Sequence, residues 1–159
     1  MSFPGNPRNL IVIGLVALLL AIAAHTLFVA SGSVTSPAPS AFTVNGKTYA
    51  FTYTATDDAH RAAGLMNKQM TNATTMLFVF PAMGTYGFWM SNTNTSLDMV
   101  WINATGSTGR VVSVHADAQP CVSFCPTYYP SSPANYVIEA KAGFVATNGI
   151  EVGTQIQFS

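Results

Sequence analysis

The sequence predicts an α+β domain, mainly antiparallel sheet in a small barrel or sandwich with one or two short helices, preceded by a single N-terminal transmembrane helix. Three observations carry this. An almost unbroken apolar run covers residues 10–30. Beyond it, short segments rich in aromatic and branched residues recur between Gly, Pro and Asn/Thr/Ser punctuation. Only residues 56–67 and 143–149 carry helical signals, so the sheet dominates and the helices are accessory.

As a helix, the first run spans roughly 31 Å, which matches a bilayer core. It is long for the apolar part of a signal peptide, and Phe28 puts bulk where cleavage wants a small residue. Arg8 precedes the run and the first basic residue after it is Lys47. The positive-inside rule therefore predicts a cytoplasmic segment 1–9, an anchor at 10–30 and an extracytoplasmic domain at 41–159, in a single-pass protein of the cell membrane. His25 lies near the outer end of the span, within reach of the interface. Residues 31–40 have the Ser/Pro/Gly composition of a solvated linker.

Phe42 and Val44, then Asn45-Gly46, then Tyr49 predict a hairpin on a type I′ turn. Asp57 and Asp58 cap a short helix that Gly64 or Asn67 ends, and this helix carries Arg61. Residues 75–80, 86–90 and 97–102 read as core strands, the last two flanking a polar loop at 91–96. A turn at 106–109 leads to a strand at 110–115, and a Cys/Pro-rich loop follows at 116–133. A strand at 136–139, a helical turn ended by Gly149 and a strand near 155–158 complete the chain's elements.

Arg61-Ala-Ala-Gly64-Leu65-Met66, Phe88-Trp89-Met90-Ser91-Asn92-Thr93, Leu97-Asp98, Gln119-Pro120-Cys121 and Tyr136-Val137-Ile138-Glu139 together resemble the domain of unknown function 192 family over residues 45–158. The resemblance implies a compact, mainly β domain, often exported or membrane-anchored, with no established activity. Where that family usually carries Lys and Arg, this chain has Ser91 and Asn135. If the family's site takes an anion, this member should prefer a neutral ligand, with Arg61 the main cation left.

Candidate ligand-binding residues are Arg61, Asn92, Thr93 and Asp98, because polar loops held by strands are where binding groups sit. Asp98 opens a strand that is apolar on both faces, so its carboxylate needs partners. One reading has it accept N–H groups of loop 92–96 or pair with Arg61. The other makes it a ligand contact or, with His115, an acid/base pair. Cys121 and Cys125 are most simply a disulfide in an outward-facing domain. A soft-metal site using both thiolates, His115 and a methionine matches no established spacing, and a cysteine nucleophile requires the reduced pair. No metal or other cofactor is expected. Asn72, Asn94 and Asn103 begin N-x-Ser/Thr triplets, candidate glycosylation sites and no enrichment in so Ser/Thr-rich a chain.

Charged residues are 8% of the chain and the net charge is zero, which removes the field a nucleic-acid binder uses. The function expected is a membrane-anchored binding or accessory domain whose partner is another membrane or cell-surface protein or a small neutral ligand. A small hydrolase or redox enzyme built on Asp98 and His115 is the alternative. A pilin-like filament subunit is a third reading, weakened because Gly5 follows Pro4 and lacks the basic residue such processing sites carry.

Overall fold

The computed structural model describes residues 37–159. The cytoplasmic segment and anchor expected over 1–30, and most of the 31–40 linker, lie outside the described residues. Among those described, no helix is long and apolar enough to cross a membrane.

Local chemistry sets the first elements. Strands β1 (Ala41–Val44) and β2 (Lys47–Ala50) form the expected hairpin. Asn45 and Gly46 take φ of 48° and 79°, the left-handed values of a type I′ turn. After β3 (Tyr53–Ala55) comes helix α1 (Asp58–Ala63), capped by Asp57, whose carboxylate accepts the His60 backbone N–H at 2.8 Å. That bond is the main reason its carboxyl sits below the usual range. Gly64, at φ 45°, ends the helix.

The sheet's long strands follow: β4 (Thr75–Gly84), β6 (Leu97–Thr105), β7 (Thr108–Ala118) and β9 (Ala134–Lys141). Between them lie two-residue strands β5 (Phe88–Trp89) and β8 (Thr127–Tyr128). Helix α2 (Phe144–Asn148), ended by Gly149 at φ 57°, and β10 (Gln155–Phe158) close the order. The eight main strands form one curled half-barrel sheet in the order β2-β1-β10-β7-β6-β9-β4-β3, antiparallel except for the β3–β4 pair. It is open, with β2 and β3 as edges. Strands β5 and β8 form a separate ribbon.

The central strands are buried on both faces, which splits the core in two. Val100, Ile102, Ile138, Phe42 and Phe158 pack on one face with Val145 of α2. Met99, Trp101, Val137, Phe78 and Met76 pack on the other with Leu65 and Met90. Alternation along β6 and β9 distributes these side chains, and it also decides where each strand's carboxylate ends up.

One expected element changes character. Residues 86–90 are not a core strand: only Phe88 and Trp89 pair, with Tyr128 and Thr127 in the small ribbon. Phe88 does turn inward, edge-on to Phe78 and Trp101 with ring centroids 4.8 and 5.8 Å apart. Trp89 points out and is 57% exposed. A Cβ at Gly87 would lie 2.6 Å from side-chain atoms of Thr127 and Tyr129, so only glycine allows this close approach.

Candidate functional site

On the face that carries Met99 and Val137, a pocket of about 450 Å³ opens between α1, β4 and the ribbon. The turn after α1 supplies Gly64, Leu65 and Met66; β4 supplies Phe78, Phe80 and Pro81. Tyr86, Phe88 and Trp89 form the opposite wall. A concave, mainly apolar cavity with a few polar groups is the usual form of a small-molecule site.

Three polar side chains matter there. Arg61 is nearly buried; its Nη1 donates to the Val79 carbonyl at 2.7 Å and its Nη2 to Asp58 Oδ1 at 2.6 Å. Its guanidinium also lies 5.3 Å from the centroid of the Phe80 ring, whose plane stacks on Tyr86 at 3.7 Å. The solvent-exposed Asp58 carboxylate offsets part of the Arg61 charge, so this wall offers an incoming anion a reduced attraction. Thr93 lines the pocket with its backbone N–H donating to the Met90 carbonyl at 3.3 Å.

The third is Glu139, on β9 between Met76 of β4 and Met99 of β6. It is 4% exposed and lines the cavity. Among the described residues its carboxyl has no hydrogen-bond or ionic partner, and loss of hydration on burial pushes it up to about 8. Near neutral pH it is therefore mostly a neutral acid facing the pocket.

Of the residues singled out from sequence, Arg61 and Thr93 meet at this pocket, while Asn92, Asp98 and His115 are not part of its lining. Asn92, at φ 51°, braces the loop through its backbone: its N–H donates to the Cys121 carbonyl and its carbonyl accepts from Asn67. Asp98 is 1% exposed, and its partners are not those expected. Between the pairs Leu97–Ala118 and Met99–His115, β7 carries two residues opposite the one of β6, a β-bulge. Asp98 Oδ1 accepts the N–H freed there on Asp117 at 2.9 Å, and Oδ2 accepts the Val145 N–H at the start of α2 at 2.8 Å. Neither loop 92–96 nor Arg61 reaches it.

His115 pairs across from Met99, on the face opposite to Asp98, with its ring 4.1 Å from that of Tyr128. The two do not form an acid/base pair. Cys121 and Cys125 are joined by a disulfide, and Cys121 N–H donates to the Met90 carbonyl, tying that loop to the ribbon. Asn135, standing where a cation was expected from the family pattern, instead clasps Ala104 through both its amide atoms at 2.8 and 3.0 Å. The amides of Asn72, Asn94 and Asn103 all lie on exposed residues.

Glu139 and the pocket aromatics were not singled out from sequence as site residues. Glu139 had one usable signal, a lone carboxylate inside an apolar strand, the same signal that drew attention to Asp98.

The chain's residues 41–158 match the family described as DUF192, uncharacterized ACR. Two solved structures share the fold. One is a proposed transcription regulator from Sinorhizobium meliloti 1021, 32% identical, with a TM-score of 0.63 over 80% of this chain and 98% of that one. The other is a protein of unknown function from Novosphingobium aromaticivorans DSM 12444, 26% identical, with a TM-score of 0.62 over 80% of this chain and 91% of that one. No curated protein matches the chain.

Proposed function

Because the chain belongs to the DUF192 family, whose activity is uncharacterised, we propose a function from its own pocket: a membrane-anchored, extracytoplasmic domain that binds a small, largely apolar, non-anionic ligand and does no chemistry on it. The observation that carries this is the aromatic cavity beside α1 with the Glu139 carboxyl facing it. The buried acid disfavours an anion, and the Asp58 carboxylate beside Arg61 reduces that cation's pull on one. The separation of Asp98 from His115 removes the acid/base arrangement that an enzymatic reading would use. The apolar run at 10–30 and the Cys121–Cys125 disulfide support placement outside the membrane, where disulfides persist. A regulatory role on nucleic acid is not carried over from the S. meliloti protein, because a chain of zero net charge lacks the field that role needs.

The test uses 4-fluorobenzyl alcohol as the probe. Added to the full-length chain in nonionic detergent, it should show fluorine NMR line broadening that disappears in Ala63→Trp, a substitution at the exposed, pocket-lining end of α1 that fills the cavity. Equal broadening with both proteins, in the presence of unchanged thermal unfolding, would remove the pocket as a binding site.

A further inference from the structure

Glu139 is the buried carboxyl of the pocket, and among the described residues it has no partner. Arg61 spends two of its five N–H donors on Val79 and Asp58, and Thr93 is held through its backbone N–H by Met90. Glu139 is more than nine-tenths buried, lines the cavity, and meets no donor among the described residues. Its partnerless oxygens are not sealed from the cavity, so what fills that cavity, water or a ligand, completes them.

The lining narrows what that can be. An anion meets an acid it would have to keep protonated and a cation already paired with Asp58. A neutral alcohol or amide gives one ordinary hydrogen bond. A protonated amine gives a charge-assisted hydrogen bond, roughly twice as strong as a neutral one; a quaternary ammonium gives an ion pair without one; and for both the rings add cation–π attraction, which grows as water is excluded. The pocket shows this affinity in its own wall, where the Arg61 guanidinium sits over Phe80. With one face of Phe80 taken by Arg61 and its plane stacked on Tyr86, the rings of Phe78, Phe88 and Trp89 remain for a ligand.

Building on the ligand-pocket reading above, we infer that the occupant carries an organic ammonium group, protonated or quaternary, which Glu139 receives as its counter-ion within this aromatic lining. Binding then breaks the Glu139 O–H bond: the proton leaves to buffer, the carboxylate stays, and the ammonium charge replaces it. The pocket's net charge is the same before and after. The other charged or titratable groups lining the cavity are Asp58 and Arg61 from α1 and Tyr86, while the strands on either side of Glu139 present Met76 and Met99.

Choline and its uncharged carbon isostere, 3,3-dimethylbutan-1-ol, separate the cases. On the full-length chain at pH 7, calorimetry should show choline binding at least tenfold tighter than the isostere. Repeating the choline titration in buffers of different ionisation heat should show release of about 0.9 proton, the protonated fraction expected for a pKa near 8. Glu139→Gln should abolish the release and weaken choline at least tenfold while weakening the isostere far less. Trp89→Ala, at an exposed position, should weaken choline several-fold with the proton release retained, which keeps the idea testable if the Glu139 variant does not fold. Equal affinity for the two probes, or choline binding without proton release, overturns the inference. If neither binds but 4-fluorobenzyl alcohol still occupies the pocket, the ammonium inference falls and the binding site stands; if that probe fails too, both fall.

Discussion

Asp98 on β6 and Glu139 on β9 are acids buried on neighbouring strands, one residue apart in register, since Asp98 pairs with Ala140 and Met99 with Glu139. Alternation sends them to opposite faces of the sheet, and there their situations part. Asp98 meets two backbone N–H groups, one freed by the bulge in β7 and one opening α2. Glu139 meets a cavity. Burial is equally deep in both, so depth alone says nothing about function; what separates a structural acid from a candidate site is whether the fold itself supplies the donors.

The comparison can be broken at either residue. The largest effect belongs to Asp98→Ala, which strands two buried N–H groups and should destabilise the domain by roughly 2–6 kcal/mol, with Asp98→Asn losing about half as much. Urea unfolding measures both, and any Asp98→Asn protein that stays folded should bind 4-fluorobenzyl alcohol as the parent does. A folded Asp98→Asn chain that lost the probe would put Asp98 in the site after all.

Glu139→Gln should act in the opposite sense and only over part of the pH range. The folded-state value, about 8, is raised above the ordinary 4.5, so the native state holds a proton that the unfolded chain gives up. Its contribution is fully present below pH 4.5 and is lost as pH rises through about 8. Ligand-free protein should therefore weaken over that window, by on the order of 5 kcal/mol at most, and Glu139→Gln should flatten the slope and be the more stable form at pH 9. Thermal unfolding at pH 5 and pH 9 decides it; an unchanged slope in the variant would mean that Glu139 has a partner after all. Smallest is Arg61→Lys, which keeps the charge but loses the forked contact with the Val79 carbonyl and Asp58. It should cost about 1 kcal/mol in the same assay, with the pH slope intact.

The fold was legible wherever short-range chemistry decides it. Asn45-Gly46 announces its turn, Asp57 and Gly64 bracket α1, Gly149 ends α2, and the β10 bounds coincide with the apolar alternation of Ile156 and Phe158. Pairing across the chain was not legible. Residues 86–90 have the composition of a core strand, yet Trp89 ends up at the mouth of a pocket, because composition records that a residue is aromatic and not which neighbour comes to cover it. The site suffered the same loss. Asp98 stood out because a polar loop precedes it, whereas Glu139 follows three apolar residues and precedes Ala140, so its cavity exists only once α1 and the ribbon have folded over β9. Arg61 and Thr93 were identified from a short motif and a loop, and they are the candidates that reach the pocket.

Strand order carries a consequence for biosynthesis. β10 lies between β1 and β7, and β1 pairs with nothing on its inner side until Phe158 and Gln157 arrive opposite Phe42 and Thr43. The first hairpin leaves the ribosome early and must wait for a strand made after every other element of the sheet. Until then Phe42, fully covered in the folded domain, is bare, and the outer edge of β7 is open to pairing with other chains. During that interval the nascent chain carries bare apolar surface beside an unpaired strand edge, so the delay before β10 is made, as much as the stability of the finished sheet, governs how much of it folds intact.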